Sequence, residues 1–74
     1  MNIDYEKKVG KRIRELRLEM KLTQEQLAAK LQVKGCDVTR SALAKIEVGQ
    51  RHLYIDELKA LKEILCVDFS DIVL

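Results

Sequence analysis

Residues 39–49, TRSALAKIEVG, read as one short helix with two unlike faces. Thr39 has the hydroxyl expected of an N-cap, and Gly49 stands in the position just past the helix that favours glycine. Leu43 and Ile46 fall on one side and point toward a core. Arg40, Ser41, Ala44 and Lys45 fall on the other, where hydrogen-bond donors are interleaved with small side chains. That face suits the edges of DNA bases, and it equally suits a solvated surface.

Working outward, Val33-Lys34-Gly35-Cys36-Asp37-Val38 precedes the helix and reads as a loop, with Gly35 and Asp37 as turn formers and Val33 or Val38 as its anchor. Before the loop, TQEQLAAKL opens with Thr23 as N-cap and Gln26 three residues on, a capping box in its Thr-x-x-Gln form. This second helix ends near Leu31 or Gln32 and turns Leu27, Ala28 and Leu31 inward. A first helix is expected over residues 5–20, because Val9, Ile13, Leu16 and Met20 recur along one stripe of a 3.6-residue period. Lys7, Lys8, Lys11, Arg12 and Arg14 cover much of its remainder. After Gly49 the chain is expected to be extended over 50–53. A fourth helix follows over 55–65, with Leu58, Leu61, Ile64 and Leu65 inward and Asp56 and Glu57 in its first turn, where the helix dipole favours them. A last helical turn over 68–73 is capped by Asp68 and packs Phe69 and Ile72. The expectation is an all-α fold of five helices in a single domain, 1–74, with an extended turn over 32–38.

Composition narrows the functional classes. The 74 residues are 47% hydrophobic and 35% charged, which suits a folded domain, and the absence of proline with only three glycines favours helix. No apolar run approaches a membrane span and the start lacks a secretory signal, so a cytoplasmic protein is expected. Residues 1–52 carry 12 Lys and Arg against 7 Asp and Glu, whereas residues 53–74 carry 2 against 5. Such asymmetry suggests one face turned to an anionic partner. Cys36 and Cys66 lack metal-ligand spacing, and with the single His52 they are too few for a metal site. Both are expected to be free thiols, Cys66 buried and Cys36 in the loop. One histidine, two serines and no Gly-rich phosphate loop argue against an enzyme, and no cofactor or small-molecule ligand is evident.

Three further elements carry a resemblance. Ile-Arg-Glu-Leu-Arg ends the first helix, Leu22-Thr23-Gln24 and Leu27-Ala28 open the second, and Lys45-Ile46-Glu47-x-Gly49 ends the third. With the Cys66-Val67-Asp68-Phe69 to Ile72 tail, this order and spacing resembles the helix-turn-helix family of phage repressors and Cro proteins, over roughly residues 9–73. The resemblance implies that the third helix enters the major groove while the second lies across the backbone. By position, Thr39, Arg40, Ser41 and Lys45 are then candidates for base edges, with Arg and Lys suited to guanine and the Thr methyl to thymine. Gln24, Gln50, Arg51 and His52 become candidates for phosphates. Gln24 also has a plain reading as a helix former, and His52 as a surface histidine. Arg17 and Glu47 match positions that form a structural ion pair between helices one and three.

One departure stands out. The family usually joins helices two and three in three or four residues, whereas 32–38 makes seven here. The insertion either bulges into solvent, brings Lys34 to a phosphate, or tilts the start of helix three, which bears on Arg40 more than on Lys45. The partners implied are double-stranded DNA and a second copy of the chain, with 68–74 as the dimerisation surface. The alternative is a protein-interaction module, such as an antitoxin or anti-repressor partner, on the same fold.

Overall fold

The computed structural model describes residues 3–73. Five α-helices follow one another, α1 (Ile3–Glu19), α2 (Gln24–Val33), α3 (Arg40–Glu47), α4 (Ile55–Leu65) and α5 (Phe69–Ile72), with no strand among the described residues. Helix α3 packs against α1 and α2, α2 also meets α4, and α5 closes the molecule against α1 and α4. Helix α3 is thus cradled from behind by two helices and keeps one side open.

The core is the sum of the inward stripes. Val9, Ile13 and Leu16 of α1 meet Leu27, Ala28 and Leu31 of α2, Leu43 and Ile46 of α3, and Ala60, Leu61, Leu65 and Ile72 from the carboxy-terminal part. Each fully buried Leu or Ile contributes about 1.5–3 kcal/mol. Gly10 governs how closely α1 and α3 approach. A Cβ there would run into the carbonyl oxygen of Ile46 and come within 2.9 Å of that of Glu47, so the two backbones touch without a side chain between them.

Helix starts follow their cap chemistry. The Gln26 amide donates to Thr23 Oγ1 at 3.0 Å while the Thr23 amide donates to Gln26 Oε1 at 2.9 Å, the reciprocal capping box of α2. Thr39 Oγ1 accepts from the Ala42 amide at 3.2 Å and starts α3.

Helix ends share one device. At the end of each of the first four helices, the residue after a left-handed one donates its N–H to the carbonyl five residues earlier. The pairs are Leu22 to Arg17 (3.1 Å), Cys36 to Leu31 (2.9 Å), Gln50 to Lys45 (2.8 Å) and Val67 to Lys62 (3.2 Å). Glycine fills the left-handed position after α2 (Gly35, φ +88°) and after α3 (Gly49, φ +77°), but Lys21 (φ +59°) and Cys66 (φ +56°) fill it after α1 and α4.

These endings correct several expectations. Helix α1 stops at Glu19, and Lys21 reverses the chain, so Met20 leaves the inward stripe and is exposed while Leu22 packs against the core instead. Helix α2 runs on to Val33, which is 89% exposed; Val38 is the buried anchor. Cys66 is exposed because the left-handed turn points it outward, and Cys36, drawn under the end of α2, is the buried thiol. Phe69 lies on the surface under the Lys62 ammonium, 5.3 Å from its ring centre, leaving Ile72 alone to fill the core from α5. Leu74, in the expected dimerisation tail, lies outside the described residues.

The connection from α2 to α3 is pinned to the rest of the molecule, although Gln32, Val33, Lys34, Gly35 and Asp37 are exposed. Lys34 Nζ donates to Glu63 Oε2 at 2.7 Å, Cys36 Sγ lies 3.8 Å from the Asp56 carbonyl oxygen, and Gln32 Nε2 donates to the Val38 carbonyl at 3.3 Å. Lys34 and Cys36 thus tie the connection to α4.

Candidate nucleic-acid interface

The open side of α3 presents Arg40, Ser41 and Lys45, all exposed, around the half-buried Ala44. Among the described residues neither cation forms an ion pair or hydrogen bond within the protein. Thr39 is exposed too, but its hydroxyl oxygen is occupied by the cap, so it keeps its O–H as a donor and its methyl as an apolar contact.

Beneath this face lies a buried polar cluster. Arg17 Nε donates to Glu47 Oε2 at 2.8 Å and Arg17 Nη2 to Oε1 at 3.1 Å, a bidentate pair whose side chains are 8% and 1% exposed. Arg17 Nη1 also donates to the Leu22 carbonyl at 2.8 Å, tying α1 to the turn that follows it. Gln24 Nε2 completes the cluster by donating to Glu47 Oε1 at 3.1 Å. One carboxylate therefore accepts from α1 and from the first residue of α2 while belonging to α3. No buried side-chain nitrogen or oxygen lacks a partner among the described residues, so the cluster is closed.

The residues considered for phosphate divide into two groups. Gln24 sits at the start of α2, whose first amides have no acceptor within the helix. It lines an open hollow together with Lys21, Thr23, Glu25 and Arg40. Gln50 follows α3 with an exposed side chain. Lys34, Arg51 and His52, by contrast, have their charged or ring groups engaged inside the molecule; the Gln24 side chain is likewise tied to Glu47, so what Gln24 offers is its backbone amide. Lys34 holds Glu63 at the far end of α2, about 15 Å from its start at 1.5 Å per residue. Arg51 Nη1 and Nη2 donate to Glu57 Oε1 and Oε2 at 2.8 and 3.0 Å, and the guanidinium lies 5.7 Å from the centre of the Tyr54 ring. His52 Nδ1 is 2.9 Å from Glu6 Oε1, and its ring meets that of Tyr54 edge-on at 4.9 Å.

Glu57 is the residue that holds this corner together, and it escapes sequence reasoning because its partner is six residues away across a turn. Burial by itself would raise its carboxyl pKa. The Arg51 guanidinium and the Tyr54 amide both donate to it, and the positive charge beside it outweighs the burial, so the carboxyl is held below the usual carboxylate range. The same contact raises the Arg51 pKa. Lys21 also escapes, because a turn residue of unremarkable type gives no signal in the sequence; in the structure it lines the same hollow as Gln24 and Arg40. Burial, followed by the nearby Asp56 and Glu57 charges, pushes the Cys36 thiol up, which leaves it protonated and unreactive.

Among the described residues no cluster of three or more His, Cys, Asp or Glu is placed to hold a metal ion, and no helix is long and apolar enough to cross a membrane. A family model described as helix-turn-helix matches residues 13–72, from the middle of α1 through the end of α5. No curated protein and no solved structure matches the chain.

Proposed function

The chain belongs to the helix-turn-helix family of the phage repressor and Cro type, and on that footing we propose that it is a sequence-specific transcriptional regulator, acting in the cytoplasm as a homodimeric repressor. Helix α3 enters the major groove. Lys45 and Arg40 face guanine O6 and N7, Ser41 meets a neighbouring base, and the Thr39 methyl contacts a thymine methyl. Gln24, Lys21 and Gln50 meet the sugar-phosphate backbone. Lys34, Arg51 and His52 reach phosphates only by giving up Glu63, Glu57 and Glu6, so their roles are assigned to the protein's own architecture. Two copies are required because one short helix reads only a few base pairs. Repression follows from occluding polymerase.

The single observation that carries this reading is the pair of cations, Arg40 and Lys45, left unpartnered on the open side of α3 while Arg17, Lys34 and Arg51 are all tied to carboxylates. The test is retention on mixed duplex DNA at low and moderate salt, followed by selection of bound sequences from a random pool. A salt-sensitive interaction and a symmetric consensus are expected, and Lys45→Ala is expected to lose about 1–3 kcal/mol at particular bases of that consensus. No salt-dependent retention at all would sink the reading.

A further inference from the structure

Within residues 7–21, seven Lys and Arg stand against two Glu, so the positive charge of the chain is concentrated in α1 and the turn after it. Where those cations point is set by the packing of α1 on α3. Gly10 meets the carbonyl oxygens of Ile46 and Glu47, and Arg17 holds the Glu47 carboxylate. These two residues mark the side of α1 that faces α3. At about 100° per residue, Val9, Ile13 and Leu16 of the core lie to one side of that line. Arg14, Lys7, Leu18 and Lys11 lie to the other, within about 100° of Gly10, and all four are exposed. They form a ridge across the α1–α3 seam from the core. Asp4, Lys8, Arg12, Glu15 and Glu19 fall farther round the helix.

The ridge flanks α3 from end to end. A Cβ on Gly49 would fall 2.5 Å from Lys7 Cγ, so the Lys7 side chain lies over the carboxy-terminal end of α3. At the other end, Leu18, Lys21 and Arg40 line one hollow. Lys11 and Arg14 stand between. Among the described residues, Lys7, Lys11 and Arg14 form no ion pair or hydrogen bond. Arg12, turned away from the ridge, instead donates to the Asp71 carbonyl at 2.7 Å and lies 3.9 Å from Glu15.

From this placement we infer that Lys7, Lys11 and Arg14 are a second DNA-contacting element, seated on the sugar-phosphate backbone bordering the groove that α3 enters. Charge complementarity carries the assignment: a row of unpaired cations, uninterrupted by acids, continues the unpaired Arg40 and Lys45 of α3 onto the neighbouring helix. Lys7 to Arg14 spans about 10 Å of helix axis, room for roughly two or three phosphates of one strand. Such contacts fix the protein's orientation on the duplex and read no bases. The inference rests on α3 being the DNA-reading helix, and it widens the interface from one helix to two.

The test is titration of the full chain, at several salt concentrations, against mixed duplex and against the duplex selected from a random pool. Phosphate-ethylation interference on the selected duplex accompanies it. Lys11→Ala/Arg14→Ala is compared with Lys30→Ala/Lys59→Ala, which removes the same charge from exposed lysines of α2 and α4. Alanine is the best helix former, so both variants are expected to keep the wild-type circular dichroism. The ridge variant is expected to lower the slope of log affinity against log salt by about 1.8, at about 0.9 per phosphate contact, on both duplexes. The ratio of the two affinities is expected to stay at the wild-type value. Interference is expected to vanish at particular phosphates that the wild type and the α2–α4 variant retain. Equal slopes in the two variants, or a ridge variant with the wild-type interference pattern, would overturn the inference while leaving DNA binding by α3 intact. A wild type that retains no duplex at any salt concentration would remove both.

Discussion

Glu47 ties three helices together beneath the proposed interface. Its carboxylate is buried and accepts from Arg17 and Gln24, so removing it strands a buried guanidinium. Glu47→Ala is therefore expected to cost about 3–5 kcal/mol in urea unfolding, more than an exposed ion pair such as Lys34–Glu63 would lose, at about 0–1 kcal/mol. Glu57 supplies a different signature. Its folded pKa lies below its unfolded value, so its contribution is fully present above the unfolded carboxyl range near about pH 4.3 and is lost as pH falls through the folded value. Unfolding free energies measured from neutral to acid pH should fall less steeply in Glu57→Gln than in wild type, from a lower neutral value; parallel curves would show that the carboxylate carries no such linkage. The Arg17–Glu47 pair was legible in the sequence only through the resemblance, since nothing in a spacing of thirty residues announces a contact. The ties of Lys34, Arg51 and His52 were not legible at all, because each partner is brought close by a turn or by tertiary packing.

Helices reveal themselves to sequence reasoning where apolar period and cap agree, and hide where a turn residue breaks the usual preference. The starts of α2 and α3 were legible because Thr23 and Thr39 carry the cap chemistry themselves. The end of α1 was less so, because Lys21 occupies a left-handed position that a glycine would ordinarily mark; the end of α4 was legible at Leu65, but the exposure of Cys66 in its left-handed position was not. Gly10 gave no warning either: in a helix it reads as a weak propensity, whereas its role is to let α1 lie against the α3 backbone. The two effects can be weighed. Alanine gains about 1 kcal/mol of helix propensity over glycine, but overpacking a closed contact costs about 1–3 kcal/mol, and here the obstacle is a backbone carbonyl that cannot rotate away. Gly10→Ala is expected to lower the melting temperature despite the better helix former, and a rise would show that α1 and α3 separate easily.

The whole molecule divides its charge between two ends. The basic amino-terminal part builds α1, α2 and α3, and the acidic remainder builds α4 and α5, so the proposed DNA-binding side is built from the basic part of the chain. If Lys21 meets a phosphate there, Lys21→Ala reduces the slope of log affinity against log salt by about 0.9, while Lys59→Ala on α4 leaves it unchanged; titrations at several salt concentrations separate the two. The backbone-to-backbone contact at Gly10 has a last consequence at this scale. With no side chain to yield between α1 and α3, α3 has one depth relative to the rest of the protein. If α3 enters the groove as proposed, it cannot slide to accommodate an imperfect site, and the duplex must bend, twist or narrow to meet it. Sequence steps that deform cheaply will then be favoured at positions no side chain touches, and part of the operator's information will reside in the stiffness of DNA.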